Sequence, residues 1–155
     1  MLAGPGPFPR PPQSPNLLVD ASWRTKVCDF NLSKLWTDAS AGASASSLAG
    51  MNPRWLAPEI LAGGRATASS DVFSFGIILW ELLSWDIPWA SSNVFLVPGL
   101  VTAGRRLALP PRDALPGPAS ADWPGLGAYI ALMERCWAQE PGARPSMAEV
   151  AAVLK

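Results

Sequence analysis

The strongest pattern in the chain is an apolar run near its middle. From Val72 to Leu83 the sequence is apolar nearly all round (Val72, Phe73, Phe75, Ile77, Ile78, Leu79, Trp80, Leu82 and Leu83), and the run carries Glu81. A helix without a polar face is a central, buried helix. Ser69 or Ser70 can cap it, and Asp71 falls in its first turn, where the helix dipole favours an acid. A membrane span needs roughly twenty apolar residues, so this run is too short to be one.

Weaker patterns flank it. Leu17-Leu18-Val19, the polar Asp20-Ala21-Ser22 and then Thr25-Lys26-Val27-Cys28 read as two short strands around a turn. A weaker helical pattern lies near 93–103, disturbed by Pro98, and residues 108–124 form a proline-rich connector. Leu126 to Trp137 is amphipathic. In Pro145-Ser146-Met147-Ala148-Glu149, Ser146 and Glu149 have the spacing of a capping box, with Val150, Val153 and Leu154 as the apolar stripe of a last helix. Residues 1–15 hold six prolines and no apolar periodicity, the mark of an extended, disordered leader. Thr37 to Ser47 is almost entirely Ala, Ser, Gly and Thr, with little to bury. The expected fold is mainly α, with one short β-hairpin.

Composition narrows the function. The 155 residues, 49% hydrophobic and 15% charged, suit one globular domain. Net charge is zero with no basic block, so neither nucleic acid nor an acidic membrane surface is an expected partner. There is no histidine, which removes Ser-His-Asp and Cys-His nucleophile systems and His-containing zinc sites. Cys28 and Cys136 are too few for a four-thiolate metal site and read as small buried hydrophobes, reduced inside the cell. A disulfide between them is possible but unforced. The eight tryptophans are packing residues first. Met1-Leu2-Ala3-Gly4-Pro5 has neither the basic nor the apolar region of a secretory signal. A soluble cytoplasmic chain is expected.

The chemistry lies in an ordered series of motifs. Ser14-Pro15-Asn16-Leu17-Leu18-Val19-Asp20 precedes Val27-Cys28-Asp29-Phe30-Asn31, with Asp29 thirteen residues after Asn16 across the expected hairpin. Asn52-Pro53-Arg54-Trp55-Leu56-Ala57-Pro58-Glu59-Ile60-Leu61 follows. Asp71 comes next, and then Arg144, in Cys136-Trp137-Ala138-Gln139-Glu140-Pro141-Gly142-Ala143-Arg144-Pro145. In this order the chain resembles the C-terminal lobe of a protein kinase over residues 14–155. The Ser-Pro-Asn and Trp-Leu-Ala-Pro-Glu spellings are similar to the tyrosine-kinase-like (Raf-like) Ser/Thr group.

The resemblance implies a helical lobe with a β-hairpin at its magnesium loop, a leader over 1–13 and an activation segment over 29–59. It implies ATP and Mg2+ as cofactors, Asn16 and Asp29 as metal ligands, and Leu18 and Cys28 as nucleotide-pocket residues. Two oxygen ligands brought together across a tight hairpin suit one hard cation. Phe30 and Asn31 complete the magnesium motif. Asn31 stands where the family has Gly, and Asn is the residue other than Gly that best tolerates a positive φ. Ala57, Pro58 and Glu59 end the activation segment, and Glu59 pairs with Arg144 in a structural role. Asp71 orients the catalytic-loop backbone. Thr37, Ser40, Ser44, Ser46 and Ser47 are candidate phosphorylation sites, since a phosphate orders such a loop against an arginine.

The catalytic loop departs from the family at three positions. Counting back five residues from Asn16, the catalytic base position is Pro11, which offers no carboxylate. The lysine position is Gln13, and the histidine position is Pro9. The chain begins inside the catalytic loop, so the N-terminal lobe, with its glycine-rich loop and nucleotide lysine, is expected to be absent. The helix that packs on the central helix is expected to be absent too, which leaves an apolar face uncovered. Two readings follow: a Ser/Thr protein kinase domain fragment inactive by itself, or a non-catalytic pseudokinase-like scaffold or interaction module using the surface around Asn93–Arg106. A protein substrate or a partner chain is the expected partner.

Overall fold

The computed structural model describes residues 17–27, 52–117 and 123–155. It begins with an antiparallel hairpin, β1 (Leu17–Val19) and β2 (Thr25–Val27), in the register Leu17↔Val27, Leu18↔Lys26 and Val19↔Thr25. Asp20 builds the turn. Its Oδ1 accepts from the backbone N–H groups of Ser22 and Arg24 at 2.9 and 3.0 Å, the local bonding that makes Asp a turn former.

Helices make up the rest. A 3-10 turn (Pro53–Trp55) leads into α1 (Pro58–Leu61), with Pro58 in the first turn, where its missing N–H costs nothing. The central helix is α2 (Ala68–Ser84). A second 3-10 turn (Val94–Leu96) runs directly into α3 (Val97–Thr102), and α4 (Leu126–Cys136) and α5 (Met147–Val153) follow. Further 3-10 turns at Arg112–Ala114 and Pro141–Ala143 punctuate the connectors.

Three local expectations need correction. The cap of α2 is Thr67, neither Ser69 nor Ser70. Thr67 is extended (φ −140°, ψ 168°), its hydroxyl accepts from the Ser70 N–H, and the Ser70 hydroxyl accepts from the Thr67 N–H at 3.2 Å. Ser69 is left to bond the Pro141 carbonyl, and the Ser70 hydroxyl both closes the cap and donates to Glu59. Pro98 does not disturb α3 but sits in its first turn, where proline is accommodated. In α5 the capping box is present, with Glu149 Oε2 accepting from Ser146 N–H at 2.7 Å. Of its expected stripe only Val150 is buried, while Val153 and Leu154 are exposed.

α2 runs through the core. Val72, Phe73, Ile77, Leu79 and Trp80 are buried against Leu132, Met133 and Cys136 of α4, Val97 and Val101 of α3, and Ala57 and Ile60 around α1. Burying one such side chain contributes about 1.5–3 kcal/mol. Gly76 marks the closest approach, since a Cβ there would lie 2.9 Å from Cys136 Cβ and 3.1 Å from the Trp137 nitrogen. Two polar groups in this core are answered by backbone carbonyls: Trp80 Nε1 donates to the Ala108 carbonyl at 3.0 Å and the Tyr129 hydroxyl to the Leu79 carbonyl at 2.8 Å. A smaller cluster joins Leu83, Leu115 and Leu126. Trp85 ends α2 in the left-handed conformation (φ 55°) and lays its ring on Gly117, where a Cβ would meet Trp85 Cζ2 at 3.0 Å.

One face of α2 stays open among the described residues. Phe75, Ile78, Leu82 and Trp85 follow one another at helical spacing, and Leu82 and Trp85 are 63% and 48% exposed.

Candidate functional site

The string 52–59 is fastened to α2 at two points. Asn52 caps the 3-10 turn, its Oδ1 accepting from the Arg54 N–H at 3.3 Å. At the first point Trp55 lies along α2: its Nε1 donates to Glu81 Oε2 at 2.7 Å, and the Ser74 hydroxyl donates to the Trp55 carbonyl at 2.8 Å. Arg54 Nη1 donates to the Pro88 carbonyl at 3.2 Å, tying the turn to the loop after α2.

The second point is an ion pair. Arg144 Nη1 and Nη2 donate to Glu59 Oε1 and Oε2 at 2.7 and 2.8 Å, a two-pronged geometry. The Arg144 side chain is fully buried and that of Glu59 is 21% exposed. Every Arg144 donor is used: Nη1 also reaches the Ser69 carbonyl at 2.9 Å, Nη2 the Gln139 carbonyl at 3.1 Å, and Nε the Ala138 carbonyl at 2.9 Å. Ser70 donates a further bond to Glu59 Oε1 at 2.9 Å. Burial alone would raise the Glu59 pKa, but the hydrogen bonds from Arg144 and Ser70 and the Arg144 charge outweigh it and hold the carboxyl below its ordinary value.

Phe73 anchors the arginine from below, with the guanidinium carbon 5.1 Å from the ring centroid. Arg106 also lies 5.1 Å from that centroid. It donates to the Trp137 carbonyl and to Gln139 Oε1, both at 2.7 Å. Burial and the neighbouring Arg144 charge lower the Arg106 pKa, and Glu59 opposes them. An open cleft of about 250 Å³ lies beside the pair, between Pro58–Ala62 and Gln139–Pro141.

The structure thus brings together Ala57, Pro58, Glu59 and Arg144. Asp71 sits in the first turn of α2, its carboxyl without a hydrogen bond among the described residues and its pKa raised by burial. Leu18 is 54% exposed on β1. Asn16, Cys28, Asp29, Phe30, Asn31, Pro11 and the candidate phosphorylation sites Thr37, Ser40, Ser44, Ser46 and Ser47 lie outside the described residues. The Cys136 thiol is free and buried. Among the described residues no helix is long and apolar enough to cross a membrane.

Sequence reasoning missed the Trp55–Glu81 bond and the roles of Ser70, Arg106 and Gln139. A signal for the first was present: a charge inside an apolar helix needs a partner, and an indole N–H in a packed segment needs an acceptor. Arg106 carried no such signal, because its partners are mostly backbone carbonyls.

The family model for protein tyrosine and serine/threonine kinases matches residues 13–154. The chain belongs to that kinase family. Among relatives, it is 41% identical over 148 residues to the serine/threonine-protein kinase CTR1 of Arabidopsis thaliana, covering 92% of this chain and 16% of that kinase. It is 42% identical over 144 residues to the probable serine/threonine-protein kinase SIS8 of the same plant, covering 92% of this chain and 12% of that protein. The probable serine/threonine-protein kinase drkD of Dictyostelium discoideum is 37% identical over 140 residues, 90% of this chain and 10% of drkD. The chain therefore spans less than a fifth of the length of these curated relatives. The Raf-like likeness holds, as does the fold class: mainly helical, with one small antiparallel hairpin. Full-length kinases of this family use ATP and Mg2+ and act on protein substrates.

Proposed function

We propose that residues 14–155 form the helical part of a Ser/Thr protein kinase domain, and that this chain by itself does not transfer phosphate. The observation that carries the first half is the bidentate Glu59–Arg144 pair, which joins the motif at the end of the activation segment to the last connector of the lobe. An unrelated helical bundle has no reason to place these two motifs 85 residues apart in sequence and 2.7 Å apart in space.

In the complete domain, the metal would fall to Asn16 and Asp29. The hairpin supports that assignment: with Leu17 opposite Val27, the chain segments leading to Asn16 and to Asp29 leave from the same end of the hairpin. Magnesium there would clamp the phosphates of ATP and neutralise their charge. Leu18 and Cys28 would line the nucleotide pocket, and Asp71, whose carboxyl is uncommitted among the described residues, would accept hydrogen bonds from the catalytic-loop backbone. Inactivity rests on Pro11. The base position offers no group to orient or deprotonate a substrate hydroxyl. A cytoplasmic location accords with the free thiol of Cys136.

The test is phosphate transfer from labelled ATP to a generic basic protein, beside thermal shift with Mg2+ and ATP. The expected result is no transfer and no stabilisation above buffer. Transfer that disappears on Asp29→Asn would overturn the inactivity and keep the family's chemistry. The second reading, an interaction module, is favoured by Phe95 and Leu96, which stand 87% and 62% exposed within the Asn93–Arg106 surface. Replacing both with Ser would abolish partner binding in that reading and leave any phosphate transfer untouched.

A further inference from the structure

The contact between Trp55 and α2 depends on a carboxyl group that is only half satisfied. Glu81 is 4% exposed. Its Oε2 accepts the Trp55 indole N–H at 2.7 Å, while its Oε1 is buried without a hydrogen-bond partner among the described residues. A buried carboxylate is stable when charged or several neutral donors surround it, as they surround Glu59. Glu81 has one neutral donor.

No charged or titratable group on the neighbouring elements bonds to Glu81 among the described residues. Arg54 on the 3-10 turn bonds the Pro88 carbonyl. Asp86, on the loop after α2, accepts from the Ile87 N–H. Tyr129 on α4 donates to the Leu79 carbonyl, the buried Cys136 thiol has its own pKa raised by burial, and Glu134 and Arg135 are exposed. Glu59, Arg106 and Arg144 gather around Ser70 and Phe73, about 12 Å away along the helix by its 1.5 Å rise per residue. Only burial and the Trp55 bond act on the Glu81 proton, and burial, the larger, pushes its pKa up to about 7.

We propose that Glu81 is a proton-controlled clasp: burial favours the neutral acid under Trp55 and the 53–56 turn, and on losing its proton to solvent Glu81 draws water to its unpartnered Oε1 and shifts that turn. The indole N–H bond, which favours the carboxylate, is kept. The O–H bond of the acid breaks, the proton passes to water or buffer, and the carboxylate keeps the electron pair. Because 53–56 leads directly into the Glu59 motif, the clasp sets where this part of the activation segment sits. The absence of histidine sharpens the idea, because the usual side chain for switching near neutrality is missing from the chain.

The experiment follows the Trp55 indole N–H by nitrogen-15 NMR on the 155-residue chain from pH 5 to 9, assigned with Trp55→Phe. The expected result is a shift of that resonance with a midpoint near 7, absent in Glu81→Gln, whose neutral amide cannot ionise. A pH-independent Trp55 resonance in the unmodified chain overturns the proposal, and so does an unchanged midpoint in Glu81→Gln, which would point to the terminal amine. Should Glu81→Gln fail to fold, carboxyl carbon-13 titration of the unmodified chain decides. One of the five glutamates titrating near 7 supports the clasp, and all five titrating in the ordinary carboxylate range overturns it.

Discussion

Glu59, at the end of the eight-residue string 52–59, and Glu81, on the helix α2 that the string packs against, are treated in opposite ways by their surroundings. Glu59 faces a guanidinium with all its donors engaged, plus a serine hydroxyl, and its pKa falls. Glu81 faces one indole N–H and apolar packing, and its pKa rises. Burial acts on both in the same direction; the partners supplied to each carboxylate decide the outcome. The first site is a permanent joint. The second is most stable while its acid stays neutral, because burial outweighs the one bond that favours the charge.

The largest effect should come from breaking the joint. Arg144→Ala removes both guanidinium bonds to Glu59, leaves its carboxylate with only the Ser70 hydroxyl in a site built for a pair, and is expected to cost about 3–5 kcal/mol in urea unfolding. Replacing both partners with apolar residues often rescues a buried pair elsewhere. Here Glu59→Leu with Arg144→Met should recover only part of the loss, because the carbonyls of Ser69, Ala138 and Gln139 also lose their donor. Full recovery would show that the backbone bonds contribute little.

The pH dependence of stability sets the two sites against each other. Glu81 has its pKa raised on folding, so its contribution is complete below the unfolded value of 4.5 and is lost as pH rises to about 7. The loss is up to about 3 kcal/mol. Glu59 has its pKa lowered, so its contribution is complete above 4.5 and is lost as pH falls through the folded value. Urea midpoints measured from pH 3 to 8 should therefore peak on the acid side of neutrality. Glu81→Gln should flatten the limb between 4.5 and 7 and leave the acid limb unchanged. A flat profile between 4.5 and 7 in the unmodified chain would mean that Glu81 is already ionised in the folded chain.

How much of this was legible in the sequence follows from where the bonds run. The central helix, the hairpin and the capping box at Ser146 and Glu149 were readable because they rest on periodicity and on side chains three residues apart. The Glu59–Arg144 joint came from the motif order. The true cap at Thr67 was not readable, since Ser69 and Ser70 suit a cap equally well by type. Contacts across the fold choose between them: Ser69 bonds the Pro141 carbonyl and Ser70 bonds Glu59, which commits both to the helix body. The chemistry of Glu81 was hidden for the same reason. Its single partner lies 26 residues upstream, in a string whose spelling pointed to a different glutamate.

A smaller effect tests whether the two sites are coupled through the helix that carries them. Gly76 lies between Phe73, under Arg144, and Glu81, and its missing side chain lets α4 approach; Gly76→Ala forces a methyl against Cys136 and the Trp137 backbone, at about 1–3 kcal/mol. The smallest lies at the start of α2. Thr67→Ala removes the reciprocal cap with Ser70 and should cost about 1 kcal/mol in the same urea measurement. The Ser70 hydroxyl still accepts from the backbone N–H at position 67 and still donates to Glu59 Oε1, so the Glu59 carboxyl should keep its lowered pKa. The acid limb of the stability profile in Thr67→Ala should then keep its midpoint while the whole curve drops. A shifted midpoint would show that the cap also holds Ser70 in place for the joint, making the start of α2 part of the clamp on Glu59.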